Sequence, residues 1–552
     1  MARYLFLVAL LMLAACNPGA TVEEETAVSP TVVPAIEEEA APTEEAATEA
    51  AAEEEMAEPT EEAAMEEAAT AAPVEEVVEE EAMEEEMEEE TAVSIEPIDD
   101  DEARLLLNEL AFGTEAEAQA AVERIVAADD KRFVAAFIEM FRNAQIGIIR
   151  SLPPAYHIEV LEGLSGQEFG FDWGGWIEWY GGTDLEPPPH FTAWKGRMLS
   201  IIDPGFGEFL RDGLPSRIRV EEIQWGGVVV DGIPALDHSP MISPETADYM
   251  NPTDAVFGME INGDARAYPL RIMDWHEMAN DTIGGVPVSI AYCTLCGAAV
   301  AYDGRASDGN TYDFGSSGFL FRSNKLMYDR QTRTLWNQLT GEPVLGELVD
   351  TDVTLPILPI VLTTWEEWLA DHPDTVVLDV ETNFRRDYGP GAAYGDYFSS
   401  PGTMFPVWQR EDLLETKAHV YALRLNGLPK AYPVEIVNFE QVVNDMLAET
   451  AVVLVSGRDQ QVEIEGKSRR AGAVTYTAGG EIRAFERGDH EFAAGDDSDT
   501  VVDENGRSWQ VTEDALVGPD GETLPRLGGH LAYWFGWYAF FPQTEIYGVE
   551  EG

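Results

Sequence analysis

Apolar residues recur at helical spacing early in the chain and in short turn-bounded runs later. Leu105, Leu106, Leu110, Ala121, Val122, Ile125 and Val126 recur at three- and four-residue steps, and Phe133, Phe137, Met140 and Phe141 continue the pattern. It predicts two or three short amphipathic helices over 102–150, broken at Gly113 and Thr114. Residues 151–254 lose this period and are rich in Trp, Gly and Pro, which predicts an irregular, aromatic-packed region. From residue 255 onward, strand-like runs dominate. Val256–Ile261 and Val420–Leu425 are each followed by Asn-Gly, at Asn262 and Gly263 and at Asn426 and Gly427. That pair suits a two-residue hairpin turn, in which both central residues take positive φ. Trp275, Met278, Ala279, Thr282 and Ile283 share one helical face, so a helix is predicted there, ended by Gly284 and Gly285. The same reading puts a helix over Phe439, Val442, Val443, Met446 and Leu447, and strands over Val286–Tyr292 and Thr450–Ser456.

These elements occur twice. Asn262, Gly263, Ala267, Tyr268, Pro269, Asn280 and Asp281 reappear 164 residues later as Asn426, Gly427, Ala431, Tyr432, Pro433, Asn444 and Asp445. Trp365, Trp368, Pro373 and Thr375 reappear 169 residues later as Trp534, Trp537, Pro542 and Thr544. A period this long predicts a duplicated unit with loop insertions between its parts. The expected fold is α+β: tandem-duplicated, mainly antiparallel β units at 255–417 and 418–552, each with a short helix. A small α-helical segment and a disordered acidic tether precede them.

Charge and composition separate the N-terminal part. The chain has 552 residues and a net charge of -71, and residues 21–100 carry 31 Asp and Glu with no Lys or Arg. An excess of that size excludes an ordinary nucleic-acid reader, which needs clustered basic residues. Residues 16–101 are low-complexity Glu, Ala, Thr, Val and Pro, too poor in large apolar side chains to offset the entropy of ordering. Before them, Arg3 and the apolar run from Leu5 to Ala15 have the form of a signal peptide over 1–15. Small residues lead into Cys16, as in a bacterial lipobox. The expectation is a lipid anchor at Cys16, a partner membrane, a place on the outer face of the cell membrane, and no transmembrane helix.

Three cysteines rule out a disulfide-dense scaffold. Aligning the two units isolates the chemistry of the first. His276 faces Glu440, Cys293 faces Gly457 and Cys296 faces Gln460, so only the first unit has all three. Cys293-Thr-Leu-Cys296 followed by Gly297 admits three readings: a thioredoxin-type redox pair, a metal knuckle, or a structural disulfide. In the metal reading the ligands are Cys293, Cys296 and His276, and the cofactor is a transition metal, copper or zinc. Gly297 excludes a c-type haem, and Asn280 breaks the zincin pattern that starts at His276. Asp329, Arg330, Arg386 and Asp387 are a possible cleft lining, with surface ion pairs as the alternative.

The stretch from Gly227 to about Phe405 resembles bacterial and archaeal proteins of the DUF3179 family, a domain of unknown function. The resemblance rests on Asp231–Leu236, Glu260–Gly263, Ala267–Arg271, Trp275–Glu277, Asn280 and Asp281, Tyr292–Gly297, Met327–Arg330, Leu335 and Trp336, and Arg386–Gly389. Thr294 departs from the family, which often has Pro between the cysteines. The resemblance implies membership and no particular chemistry. The functional expectation is an extracytoplasmic, lipid-anchored protein with a metal or thiol-redox site at the cysteine pair. The alternative is a non-enzymatic surface module with a structural disulfide and a Trp-rich ligand groove. The protein or small-molecule partner is not legible.

Overall fold

The structure is a computed structural model and describes residues 96–407 and 409–549. The signal peptide, Cys16 and nearly all of the acidic tether lie outside the described residues. The fold is mixed α+β, mostly antiparallel sheet with few helices beyond residue 210. No helix among the described residues is long and apolar enough to cross a membrane.

The early helices follow their caps. Asp99 caps the helix Asp100–Phe112, and Thr114 and Glu117 form a capping box that starts Glu115–Ala128. Val134–Gln145 completes the segment predicted over 102–150. The region expected to be irregular is instead helical over Pro154–Ser165, Trp173–Gly181 and Phe191–Leu199. Some of its glycines and prolines sit at helix ends: Pro154 opens one helix and Gly166, at φ 71°, closes it. Trp176, Tyr180 and Trp194 join the core of the preceding helices.

Beyond residue 250 the hairpins fall where expected. Ala255–Ile261 pairs with Asp264–Pro269, and Asn262 and Gly263 form the tip at φ 53° and 79°. His419–Leu425 pairs with Leu428–Pro433, with Asn426 and Gly427 at φ 50° and 82°.

The helices predicted from Trp275 and Phe439 are not there. The helices are Leu270–His276 and Val434–Glu440, and Met278–Ile283 and Val442–Leu447 are strands. Gly284 and Gly285, at φ 54° and 82°, form a hairpin tip rather than a helix end. Met278–Ile283 lies inside its sheet, and Met278, Ala279, Asn280, Asp281 and Ile283 are all buried. A strand covered on both faces shows no alternation, so its apolar positions mimic a helical stripe. Its polar members serve the structure: Asn280 Nδ2 donates to the Phe314 carbonyl, and Tyr268 donates its hydroxyl proton to Asp281 at 2.6 Å.

The two halves use the same pairings. Val361–Thr364 lies antiparallel to Ala255–Ile261, and His530–Tyr533 to His419–Leu425. Val376 and Val377 run parallel to Arg266 and Ala267, as Glu545 and Ile546 do to Lys430 and Ala431. The halves also share a core, in which Cys293, Cys296 and Ala298 pack with Val420, Ala532, Tyr533, Trp534 and Trp537.

Candidate functional site

The strand Val286–Cys293 ends at the first cysteine, and Ala298–Asp303 returns antiparallel with Ala298 opposite Cys293. The residues between them make a four-residue hairpin loop. The Cys296 N–H donates to the Cys293 carbonyl at 3.2 Å, and Gly297 takes φ 59° to re-enter the sheet. The loop thereby holds both thiols on one side, and both are free and buried.

A second hairpin tip faces them. It joins Phe314–Phe321 to Asn324–Asp329 through Arg322 and Ser323, at φ 51° and 64°. Neither residue is glycine, so this left-handed turn is strained and held by its surroundings. It aims the Ser323 carbonyl at the thiols: Cys296 Sγ donates to it at 3.3 Å and Cys293 Sγ lies at 4.0 Å. Asn324 Nδ2 lies 3.4 Å from Cys296 Sγ and donates to Gln338 Oε1 at 2.9 Å. Gln338 Nε2 donates to the carbonyls of Ala291 and Ala298, which fixes the orientation of both amides. Ser323 Oγ and Asn324 Oδ1 are buried with no hydrogen-bond partner. Such atoms are uncommon in native interiors, so two adjacent ones at one turn call for an explanation.

Glu277 clasps the two turns together. It caps the helix Leu270–His276 with φ 55°. Its Oε1 accepts from the Thr294 hydroxyl at 2.9 Å and its Oε2 pairs with Lys325 Nζ at 3.3 Å. Lys325 also donates to the Glu277 carbonyl at 3.0 Å. Thr294 thus gains a tether that proline lacks. Both halves supply the cover. Tyr533 N–H donates to the Cys296 carbonyl at 2.7 Å, and Tyr397 donates its hydroxyl proton to the Leu295 carbonyl at 2.6 Å.

Burial and the neighbouring Cys293 push the Cys296 thiol well above the usual thiol range. Burial, then the nearby Glu277 carboxylate, push Asp274 well above the usual carboxylate range.

The other residues singled out in the sequence stand as follows. His276 Nδ1 donates to the Pro234 carbonyl at 2.8 Å, and its Nε2 accepts from the Tyr388 hydroxyl at 2.6 Å. Burial lowers its pKa to about 4, so the ring is neutral. Among the described residues, Cys293, Cys296 and His276 do not form a set with ligand atoms within 4.8 Å of one another. Only His490, Asp503 and Glu504 do. Asp503 is already engaged by Arg507, Trp509 and the Asn505 N–H. Asp329 accepts from the Trp336 indole and the Thr332 hydroxyl, and Arg330 pairs with Asp237. Arg386 lies over the Trp275 ring, and the Asp387 carbonyl accepts from the Trp275 indole. These four residues each have a local structural partner.

Sequence reasoning missed Ser323, Asn324, Glu277 and Lys325. Lys325 carried a signal, as a lone cation directly before the strand-like run Leu326–Tyr328. Ser323 contributes its carbonyl, which side-chain chemistry does not reveal.

Fold and site define a mixed α+β protein with a buried Cys-x-x-Cys hairpin roofed by its own C-terminal half. The family model described as a protein of unknown function, DUF3179, matches residues 230–544, and the chain belongs to that family. The match extends beyond the cysteine-bearing unit through most of the second. No curated protein and no solved structure matches the chain.

Proposed function

We propose that the protein is a lipid-anchored, extracytoplasmic metal-binding protein whose site is the Cys293–Cys296 turn, taking a thiophilic ion of the copper or zinc class. The carrying observation is the convergence of two buried thiols on one carbonyl oxygen, beside two unpartnered polar atoms. A thiol–disulfide exchanger needs an accessible thiol of low pKa, whereas Cys296 is fully buried and pushed up. A disulfide staple has little to add to a loop already closed by the Cys296 N–H, Gly297 and the Glu277 clasp. His276 has both ring nitrogens engaged by Pro234 and Tyr388 and is not among the ligands. Elemental analysis of protein purified without chelator tests the reading. Stoichiometric copper or zinc is expected, and its loss in the Cys293→Ser, Cys296→Ser double variant. Equal metal content in both proteins would overturn it.

The apolar run before Cys16 supports the anchor and the extracytoplasmic location. We also infer that 255–417 and 418–552 arose by tandem duplication, the first keeping the thiols. The support is the pairing register. Gly258 opposite Val361 becomes Ala422 opposite His530, and Arg266 opposite Val376 becomes Lys430 opposite Glu545. Trp368 donates to Thr375 Oγ1, and Trp537 to Thr544 Oγ1, both at 2.9 Å.

A further inference from the structure

We propose that the ion is divalent zinc and that the Ser323 main-chain carbonyl is its third protein ligand. This rests on the metal reading above and adds the donor set. Zinc bonds of about 2.3 Å to sulfur and about 2.0 Å to oxygen, at tetrahedral angles, put sulfur and oxygen about 3.5 Å apart. The Ser323 oxygen lies 3.3 Å from one sulfur and 4.0 Å from the other, on either side of that value. The strained Arg322–Ser323 turn holds the oxygen there, and strain of this kind is retained where the surroundings fix it for a purpose.

Charge balance favours a divalent ion. On loading, two S–H bonds break, two sulfur–zinc bonds form, and two protons leave to solvent. Zinc with two thiolates and a neutral carbonyl makes an uncharged centre, whereas a monovalent ion leaves a net negative charge in a buried pocket. The ammonium of Lys325 does not offset it, because Glu277 already does. Zinc also takes four ligands, and the same turn carries two buried oxygen donors without partners, Ser323 Oγ and Asn324 Oδ1. Copper(I) is satisfied by fewer, softer ligands and leaves these oxygens unexplained. The Asn324 N–H directed at Cys296 stabilises a thiolate there.

Ser323–Asn324 is the only Ser-Asn pair in the chain, so carbonyl-labelled serine with amide-labelled asparagine reports that one peptide group by NMR. The full chain, solubilised in detergent, is titrated with Zn2+ and examined by zinc-edge X-ray absorption. The expected result has three parts: release of two protons per ion, a shell of two sulfurs plus oxygens with no imidazole signature, and a shift of the Ser323 carbonyl resonance. His276→Ala should give the same shell, and Ser323→Gly, which keeps the carbonyl, should weaken binding by less than about tenfold. An imidazole in the shell, or an unmoved Ser323 resonance, overturns the donor set and leaves the metal site standing. So does copper(I), rather than zinc, as the resident ion. Failure of both Zn2+ and Cu+ to bind overturns the site itself.

Discussion

Gly536 presses directly on Cys296. A Cβ at Gly536 would lie 3.0 Å from Cys296 Cβ and 3.3 Å from its sulfur. The helix Trp534–Tyr538 therefore closes the thiol pocket, and only glycine permits that approach. Gly536→Ala should cost about 1–3 kcal/mol through overpacking and speed alkylation of the thiols. Thermal melts and iodoacetamide kinetics read the two effects. If neither changes, the helix is not the closing element.

Ala448 and Glu449 occupy the hairpin tip where the first unit has Gly284 and Gly285, and they keep positive φ, at 51° and 67°. Left-handed backbone costs such residues about 1 kcal/mol or more each. The double change Ala448→Asn and Glu449→Gly should raise stability by about 1 kcal/mol, read as a higher denaturation midpoint. A lower midpoint would mean the turn is not the strained type I′ form.

Lys325→Met should be strongly destabilising. It leaves Glu277 buried without its cation, a situation that costs about 3–5 kcal/mol. Adding Glu277→Gln should recover part of the loss. Chemical denaturation of the single and double variants gives the comparison; additive losses would deny the coupling.

Stability should fall as pH drops from about 6.5 toward 4. Burial lowers His276, His419 and His530 to about 4. The unfolded chain therefore binds protons in that window while the folded chain does not. Each histidine contributes up to about 3 kcal/mol, fully present above pH 6.5. Glu513 acts lower down. Against the upward push of burial, Arg483 and Arg526 hold it at about 2, so its contribution goes only as pH falls below about 4.5. Melting temperatures measured from pH 7.5 to 4.5 check this, and a flat profile would contradict it.

Cys16→Ser should move the protein from the membrane to the soluble fraction. Two acyl chains on Cys16 would provide the stable attachment that a single chain does not. Detergent-dependent fractionation of the Ser variant would refute the anchor.

The sequence by itself determined whatever depends on local backbone chemistry. The Asn-Gly tips, the helix break at Gly113 and Thr114 and the strand leading to Cys293 all follow from short-range preferences. Internal comparison of the halves also singled out the cysteines, because a residue present in one half and not in the other is visible without coordinates. Only the tertiary structure decided the rest. Met278–Ile283 is a strand because neighbours bury both of its faces, and that burial erases the alternation by which a strand is recognised. His276 lies beside the Tyr388 hydroxyl, not between the sulfurs, because its helix ends there and Glu277 turns the chain away. Ser323, Asn324 and Gly536 reach Cys296 from 27, 28 and 240 residues away in the chain. Such meetings are set by sheet pairing and core packing, which no local pattern encodes.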